Sequence, residues 1–376
     1  MDFDLRAGLR ELGPGFALAL INAMRPTGEY VFARFLPEEN RASYHAEGGN
    51  MTVRPTMAGL SGMDSPYSPG GQITLSTFLE KTAKITNQVD LPEAAIRALQ
   101  EIVLRLYGTG QEVTLQTIID EILNFTDAVV VQAHLDTMEF LRGQVLNYHR
   151  IDWTFNNIKL RVDYGVEETF RPAKRTGAEG YGAAQSTFWA DDRKAQRALN
   201  YQIAARIIHP QTMDMILENP ANNIAVVSED RIDGARVVGL RKVISRAGTA
   251  VQSTDLRDAA TFIVYDREGE IINPAEPEGD TLKLPFQPVG KISYVGSQQD
   301  SGYRVGQGAT QDPGNVTRIG YTHIAPTVEN GGRVGRWADV RNPDNEPWKL
   351  QGRGVTNGLP VLESTKKSYV NETEVA

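Results

Sequence analysis

The chain contains no cysteine. Disulfides, thiolate nucleophiles and cysteine metal sites are therefore excluded together, which fits a reducing compartment. Positive charge is in the minority: 39 Lys and Arg against 47 Asp and Glu give −8 over 376 residues. No bulk basic field exists to hold a polyphosphate partner tightly. Long hydrophobic runs are missing too. The longest near the start, FALALINAM from Phe16 to Met24, is well short of the ~20 residues a membrane span needs, and it carries Asn22. Asp2, Asp4 and Glu11 stand beside Arg6 and Arg10, so the basic leading region of a secretory signal is absent as well. The reading is a soluble protein made in the cytoplasm, with no membrane partner.

Motifs that carry chemistry are equally scarce. No GxxxxGK[ST] phosphate loop occurs, and GYRVGQG from Gly302 to Gly308 lacks the strand and helix that would make it a dinucleotide loop. It reads as a surface turn. His45, His134, His149, His209 and His323 never fall at zinc-site spacings, so each reads as structural. GLSG at Gly59 to Gly62 has Met63 where a nucleophile elbow needs its second glycine. The acidic pairs Glu38-Glu39, Glu167-Glu168 and Asp191-Asp192 are adjacent, and adjacent positions do not face one site; they read as solvated or helix-dipole charges. Trp153, Trp189, Trp337 and Trp348 are dispersed, as core or interface anchors are. The expectation is no enzyme, no cofactor and no metal.

What the chain does have is ordinary globular stuff with much loop. Glycine and proline together make up about 14 % of the chain, slightly above the average of about 12 %, and at ~150 residues per domain the length allows two to three domains. Residues 1–29 form an arm with Leu5, Leu9 and Leu12 at helical spacing before Gly13-Pro14-Gly15. In residues 30–89 two β-prone runs, MTVRPTM (51–57) and QITLSTFL (72–79), flank the turn-rich AGLSGMDSPYSPGG (58–71), giving an extended β-hairpin with a polar tip. Residues 90–190 open with a capping box, Asp90 and Glu93, and Pro92 in the first turn. Ile96, Leu99, Ile102, Val103 and Leu106 then make an apolar stripe, and a second helical stretch runs from Thr114 to about Tyr148. The alternation of Ile158, Leu160, Val162 and Tyr164 with charged neighbours marks a half-buried strand, beneath which Leu99, Ile102 and Leu106 are expected to pack. Residues 191–275 combine a helix from Asp191 to Ile208 ended by His209-Pro210, a short helix from Thr212 to Glu218, and strands IAVV, ARVVGL and TFIVY, a compact α+β unit. Residues 276–376 read as a loop-rich return with short strands such as KISYV (291–295).

In this order the pieces resemble the major capsid proteins of tailed bacteriophages with the Hong Kong 97-type fold, in particular the coliphage lambda major head protein (E-type) family. The resemblance is carried by FLPEENRASYHAEGGNMTVRPTMAGLSGMDSPYSPGGQITLSTFLEKTAKI (35–85), by RIDWTFNNIKLRVDYG (150–165), and by FIVYDREGEIINP (262–274) and LPFQPVGKISYVGS (284–297). The segment from about Gly320 departs from that pattern and reads as divergent. The resemblance implies an α+β fold: N-terminal arm, extended β-hairpin loop, spine helix with a peripheral β-sheet, and an axial α+β domain. It implies self-assembly into homo-hexamers and homo-pentamers of an icosahedral head in the virion, enclosing double-stranded DNA without tight binding. Scaffolding, portal and decoration proteins are the further partners it brings with it. Arg54, Asp64 and Tyr67, beside and within the hairpin tip, are the candidate subunit-interface residues: Tyr67 as an aromatic anchor, Arg54 as a charge-assisted contact. The alternatives are an encapsulin-like compartment shell or a phage tail or baseplate component, and, from another class, an enzyme with a noncontiguous carboxylate site.

Overall fold

The computed structural model describes residues 30–54, 72–92, 131–155, 159–232, 235–246, 249–272, 281–297, 318–341 and 349–375. The N-terminal part supplies β1 (Glu38–Asn40), β2 (His45–Arg54), β3 (Gln72–Lys81) and β4 (Ala83–Pro92). The middle contains α1 (Gln132–Tyr148), β5 (Arg150–Trp153), β6 (Leu160–Asp163), α2 (Phe188–Ala198), β7 (Ile203–Ile208) and α3 (Pro210–Glu218). Next come β8 (Ile224–Ile232), β9 (Ala235–Arg246), β10 (Thr249–Gln252), β11 (Ala259–Val264), β12 (Glu268–Ile272) and β13 (Thr281–Pro285). The last part adds β14 (Lys291–Gly296), β15 (Gly320–Ala325), β16 (Trp337–Arg341), β17 (Lys349–Leu362) and β18 (Ser368–Glu372).

Two sheets organise these elements. In the five-stranded sheet the long β17 pairs antiparallel with β15, β16 and β4, and β1 lies parallel to β15. The seven-stranded sheet runs β10-β9-β11-β7-β14-β18, with β8 also on β9. Helix α1 ties the two together. Near its start Met138 packs against Gly358 of β17, where a Cβ would stand 2.5 Å from the methionine methyl. At its end Asn147 accepts from Ser293 of β14, and His149, with a left-handed φ of 54°, caps the helix and bonds Ser368 of β18. Gly143 lets α1 lie close, since a Cβ there would meet the Phe286 carbonyl at 2.7 Å.

The packing divides accordingly. One cluster joins α1 to the five-stranded sheet and to Tyr30, Phe32 and Leu36. The other joins α2 and α3 to β7, β9, β11, β14 and β18. All six residues of β14 are buried, because this strand has a core on each face: Ile292 and Tyr294 face the second cluster, Val295 the first. Such a strand reads as a continuous apolar run, which KISYV nearly is.

Several elements match the sequence reading. β5 and β6 pair, with Val162 and Tyr164 buried and Arg161 and Asp163 exposed. α1 is the described end of the second helical stretch, and α3, β8, β9, β11 and β14 stand where their segments predict. Four expectations need correction. Asp90 is no helix cap: it lies in β4 opposite Gln351 of β17, and Leu99, Ile102 and Leu106 lie outside the described residues. The helix beginning near Asp191 ends at Ala198, because Asn200 and Tyr201 turn to positive φ. Ile203 and Ile207 then belong to β7, where Ile-Ala-Ala-Arg-Ile-Ile satisfies a two-residue period as well as a helical one. Residues 276–376, expected as a loop-rich return with short strands, supply β13 to β18, and the fourteen-residue β17 is the central strand of the five-stranded sheet.

The fourth correction concerns the acidic pairs as solvated charges; Asp191 does stand in the first turn of α2, where the helix dipole favours it, yet it is not in water. Asp191 and Asp192 are buried, and each points to its own arginine. Arg175 donates to both oxygens of Asp191 at 2.8 Å, with Thr187 Oγ1 adding a third bond. Arg206 and Gln196 hold Asp192 at 2.8 and 2.7 Å. Glu38 is likewise paired, with Arg142 and Arg336.

Candidate assembly interface

The hairpin predicted between residues 30 and 89 is present as a two-stranded ribbon. β2 and β3 pair in unbroken register from His45 opposite Lys81 to Arg54 opposite Gln72. Ten residues per strand at about 3.4 Å each extend it by roughly 30 Å. Neither strand pairs with any other among the described residues. A lone two-stranded ribbon is marginal in water, so one this long needs a surface to lie on. Its described base leaves large apolar side chains in water: Leu79 is 63 % exposed, and Tyr44, just before β2, is exposed as well.

Of the three predicted interface residues, Arg54 sits at the far end of β2, opposite Gln72. Asp64 and Tyr67 lie outside the described residues, as do Gly59–Gly62 and Gly302–Gly308. The structure therefore brings Arg54 to the ribbon's end and does not place the other two.

A second exposed apolar feature lies on the seven-stranded sheet. Ile244 of β9 stands directly opposite Val251 of β10, and both are exposed, at 39 and 44 %. Val226 and Val227 on β8 are exposed as well, at a register shift that spoils β8 as a regular edge. Apolar side chains that adjoin across two strands in water form the kind of patch that another chain can cover. Strand alternation alone gave no hint of this, because ARVVGLRKVISR does not say which face is covered.

The ribbon's root is held by a buried charge network. Glu139 and Arg142, one turn apart on α1, are both fully buried. Arg142 donates to Thr322 Oγ1 at 2.8 Å, to Glu38 at 2.9 Å and to Glu139 at 3.3 Å. Glu139 accepts from the Phe32 amide at 2.7 Å and from the Tyr265 hydroxyl at 3.1 Å. Burial pushes the Glu139 carboxyl above its ordinary range against the pull of Arg142 and these donors. Arg336 completes the set on Glu38. Beside it Tyr30 donates to Asp136 at 2.7 Å while Arg267 lies over the Tyr30 ring at 4.2 Å. The chain leading into β1 and the ribbon is thereby fixed to α1, β11 and β15. Sequence reasoning missed this network because its members are scattered from residue 38 to 336.

Chemistry is not concentrated anywhere comparable. Among the described residues no three His, Asp or Glu side chains converge as metal ligands, and no described helix is long and apolar enough to cross a membrane. His134 and His149 are buried, hydrogen-bonded to Thr356 and Ser368 at 2.9 Å, and pushed down to about 4 by burial.

No protein-family model matches the sequence, and no curated protein matches it significantly. Solved structures do match. A prophage protein of E. coli CFT073, assigned as a capsid protein, aligns with a TM-score of 0.52 at 10 % identity, over 96 % of this chain and 99 % of that one. A phage-related protein of Bordetella bronchiseptica RB50 aligns at 0.45 and 8 % identity, over 95 and 96 %. The SrpI encapsulin of Synechococcus elongatus PCC 7942 aligns at 0.43 and 12 %, over 99 and 95 %. The first of these likenesses, spanning both chains almost completely, establishes a mixed α+β fold of the Hong Kong 97-type phage capsid kind.

Proposed function

We propose that this chain is the major capsid protein of a tailed bacteriophage, a shell subunit with no turnover of its own. The observation that carries the reading is the β2–β3 ribbon, which pairs with nothing else among the described residues and follows a segment held by buried charges. A monomer gains nothing from such an element. A shell subunit does, because contacts on several sides require area that a globule lacks, and obligate interfaces run to about 2,000 Å² or more. The likeness to a capsid-type fold supports the same reading. In it, copies form hexamers and pentamers of an icosahedral head assembled in the host cytoplasm. The net charge of −8 suits a container that releases its double-stranded DNA, since a lining that neutralised many phosphates would hold it. Scaffolding, portal and decoration proteins are the further partners of such a shell. The finer kinship to the lambda E-type family is part of this proposal.

Shortening the ribbon's end tests it. Arg54 and Gln72 are directly opposed, so residues 55–71 can be replaced by Asn-Gly, a two-residue turn suited to hairpins. Far-UV circular dichroism should stay close to that of the parent while particle yield collapses or particles become irregular. Regular particles in normal yield would show that the ribbon's end does not join subunits.

A further inference from the structure

β3 and β4 are ten-residue strands separated only by Thr82. β4 pairs with β17 along its whole length, from Ala83 opposite Gly358 to Pro92 opposite Lys349, and no second strand pairs with it among the described residues. It has no bulge in that register, and Lys84, Thr86, Gln88 and Asp90 are exposed while Ile85, Asn87 and Val89 are half-buried. A long, regular edge strand is a template for strand addition unless it is blunted or used.

We propose that the outer edge of β4 pairs antiparallel with the same edge of a second copy of this chain, about a two-fold axis through Asn87. The amino-acid order selects that register. It sets Lys84 against Asp90 of the second copy, and Asp90 against its Lys84. Thr86 faces Gln88 of the second copy on the same side, and on the other side Ile85 faces Val89. Every position thus meets a partner of matching chemistry: two opposite-charge pairs, two hydroxyl–amide pairs and two β-branched apolar pairs. A slip of two residues either way would set Lys84 against Gln88 or Pro92 and lose both ion pairs. Within one chain Lys84 contacts Glu329, and Asp90 accepts from Gln88 at 3.1 Å. These exposed contacts exchange for intersubunit ones at little cost, since surface ion pairs are individually weak. The interface is isologous and closes on itself, joining two five-stranded sheets into one. It deepens the shell reading by supplying a two-fold contact, yet it stands on the β4 sequence and register.

The absence of cysteine makes the test clean. In the full chain, Asn87→Cys places two thiols directly opposite across the axis, where strand pairs bring Cα atoms to about 4.5–5.5 Å, within disulfide reach. Under mild oxidation Asn87→Cys should give a covalent dimer on non-reducing gels, and Lys84→Cys, far from its own copy in this register, should not. Lys84→Glu sets like charges opposite one another twice and should weaken self-association roughly tenfold. Adding Asp90→Lys should restore it, although it restores nothing at Glu329. Lys84, Asn87 and Asp90 are all at least partly exposed, so thermal unfolding should change little. No Asn87→Cys dimer, equal cross-linking at Lys84→Cys, or no rescue by Asp90→Lys overturns the proposal. Closed particles without the cross-link would overturn this interface and leave the shell reading standing. Cross-linked dimers that never build particles would do the reverse.

Discussion

Arg142→Leu should destabilise the protein by about 3–5 kcal/mol, the usual cost of removing one partner from a buried ion pair. The side chain is fully buried and serves three acceptors at once, Thr322, Glu38 and Glu139. Its loss leaves Glu139 with two neutral donors, the Phe32 amide and the Tyr265 hydroxyl, and no cation at hydrogen-bonding distance among the described residues. Glu38 keeps Arg336, so Glu139 carries most of the cost. Two further variants separate charge from shape. Arg142→Lys keeps the charge but cannot span three acceptors with one ammonium group, and should recover only part of the loss. Glu139→Leu combined with Arg142→Leu removes both buried charges and should be more stable than Arg142→Leu alone. Urea unfolding followed by fluorescence reads all three. A single Arg142→Leu change worth less than about 1 kcal/mol would show that the network does not hold the ribbon's root.

The second large effect is acid sensitivity set by histidine. His134 and His149 are held down to about 4 by burial, with nearby Arg336 adding to the effect at His134 and Arg171 and Lys291 at His149. Unfolded, each titrates near 6.5. Between about pH 6.5 and 4 the unfolded chain therefore binds more protons than the folded one, and stability falls as pH falls. A difference of about 2.5 pH units corresponds to roughly 3 kcal/mol per histidine by pH 4. His209, lowered mainly by burial, adds in the same direction. Glu139, raised by burial, works the other way, since its folded form takes up a proton first. Asp191, held down chiefly by its bonds to Arg175 against the cost of burial, begins to lose its contribution only below the ordinary aspartate range, near 4. The urea midpoint should thus drop from pH 7 to pH 5, with Glu139 opposing the histidines and Asp191 still ionised, and His134→Gln should flatten the drop by about half. A midpoint unchanged over that range would mean that neither imidazole is buried neutral.

How much of this was legible in the sequence depended on whether a local signal had one meaning. Alternation in β6, the turn-flanked runs of β2 and β3, and the short apolar-periodic stretch from Thr212 to Glu218 all report backbone state directly. KLQGRGVTNGLPVL does not read as a strand, because three glycines and a proline argue against one. In β17 one of those glycines is required by its neighbours: at Gly358 a Cβ would meet Met138 and the His323 carbonyl. Asp90, Pro92 and Glu93 spell a helix start, yet pairing with β17 carries the strand through Pro92, a case of tertiary pairing overriding a capping signal. The buried acids were misread for a different reason. Nothing near Asp191, Asp192 or Glu38 reveals Arg175, Arg206, Arg142 or Arg336, and only the fold brings those cations within reach. For the interface residues, the sequence located the ribbon and Arg54 at its end, while the exposed pair Ile244 and Val251 needed the sheet order before it stood out.

The central claim, that this chain builds closed shells, is tested most directly by electron microscopy of the purified full-length protein under native conditions. The account predicts isometric particles of uniform diameter whose walls resolve into rings of five and six subunits. Monomers persisting at high concentration, or helical tubes in place of closed particles, would contradict it.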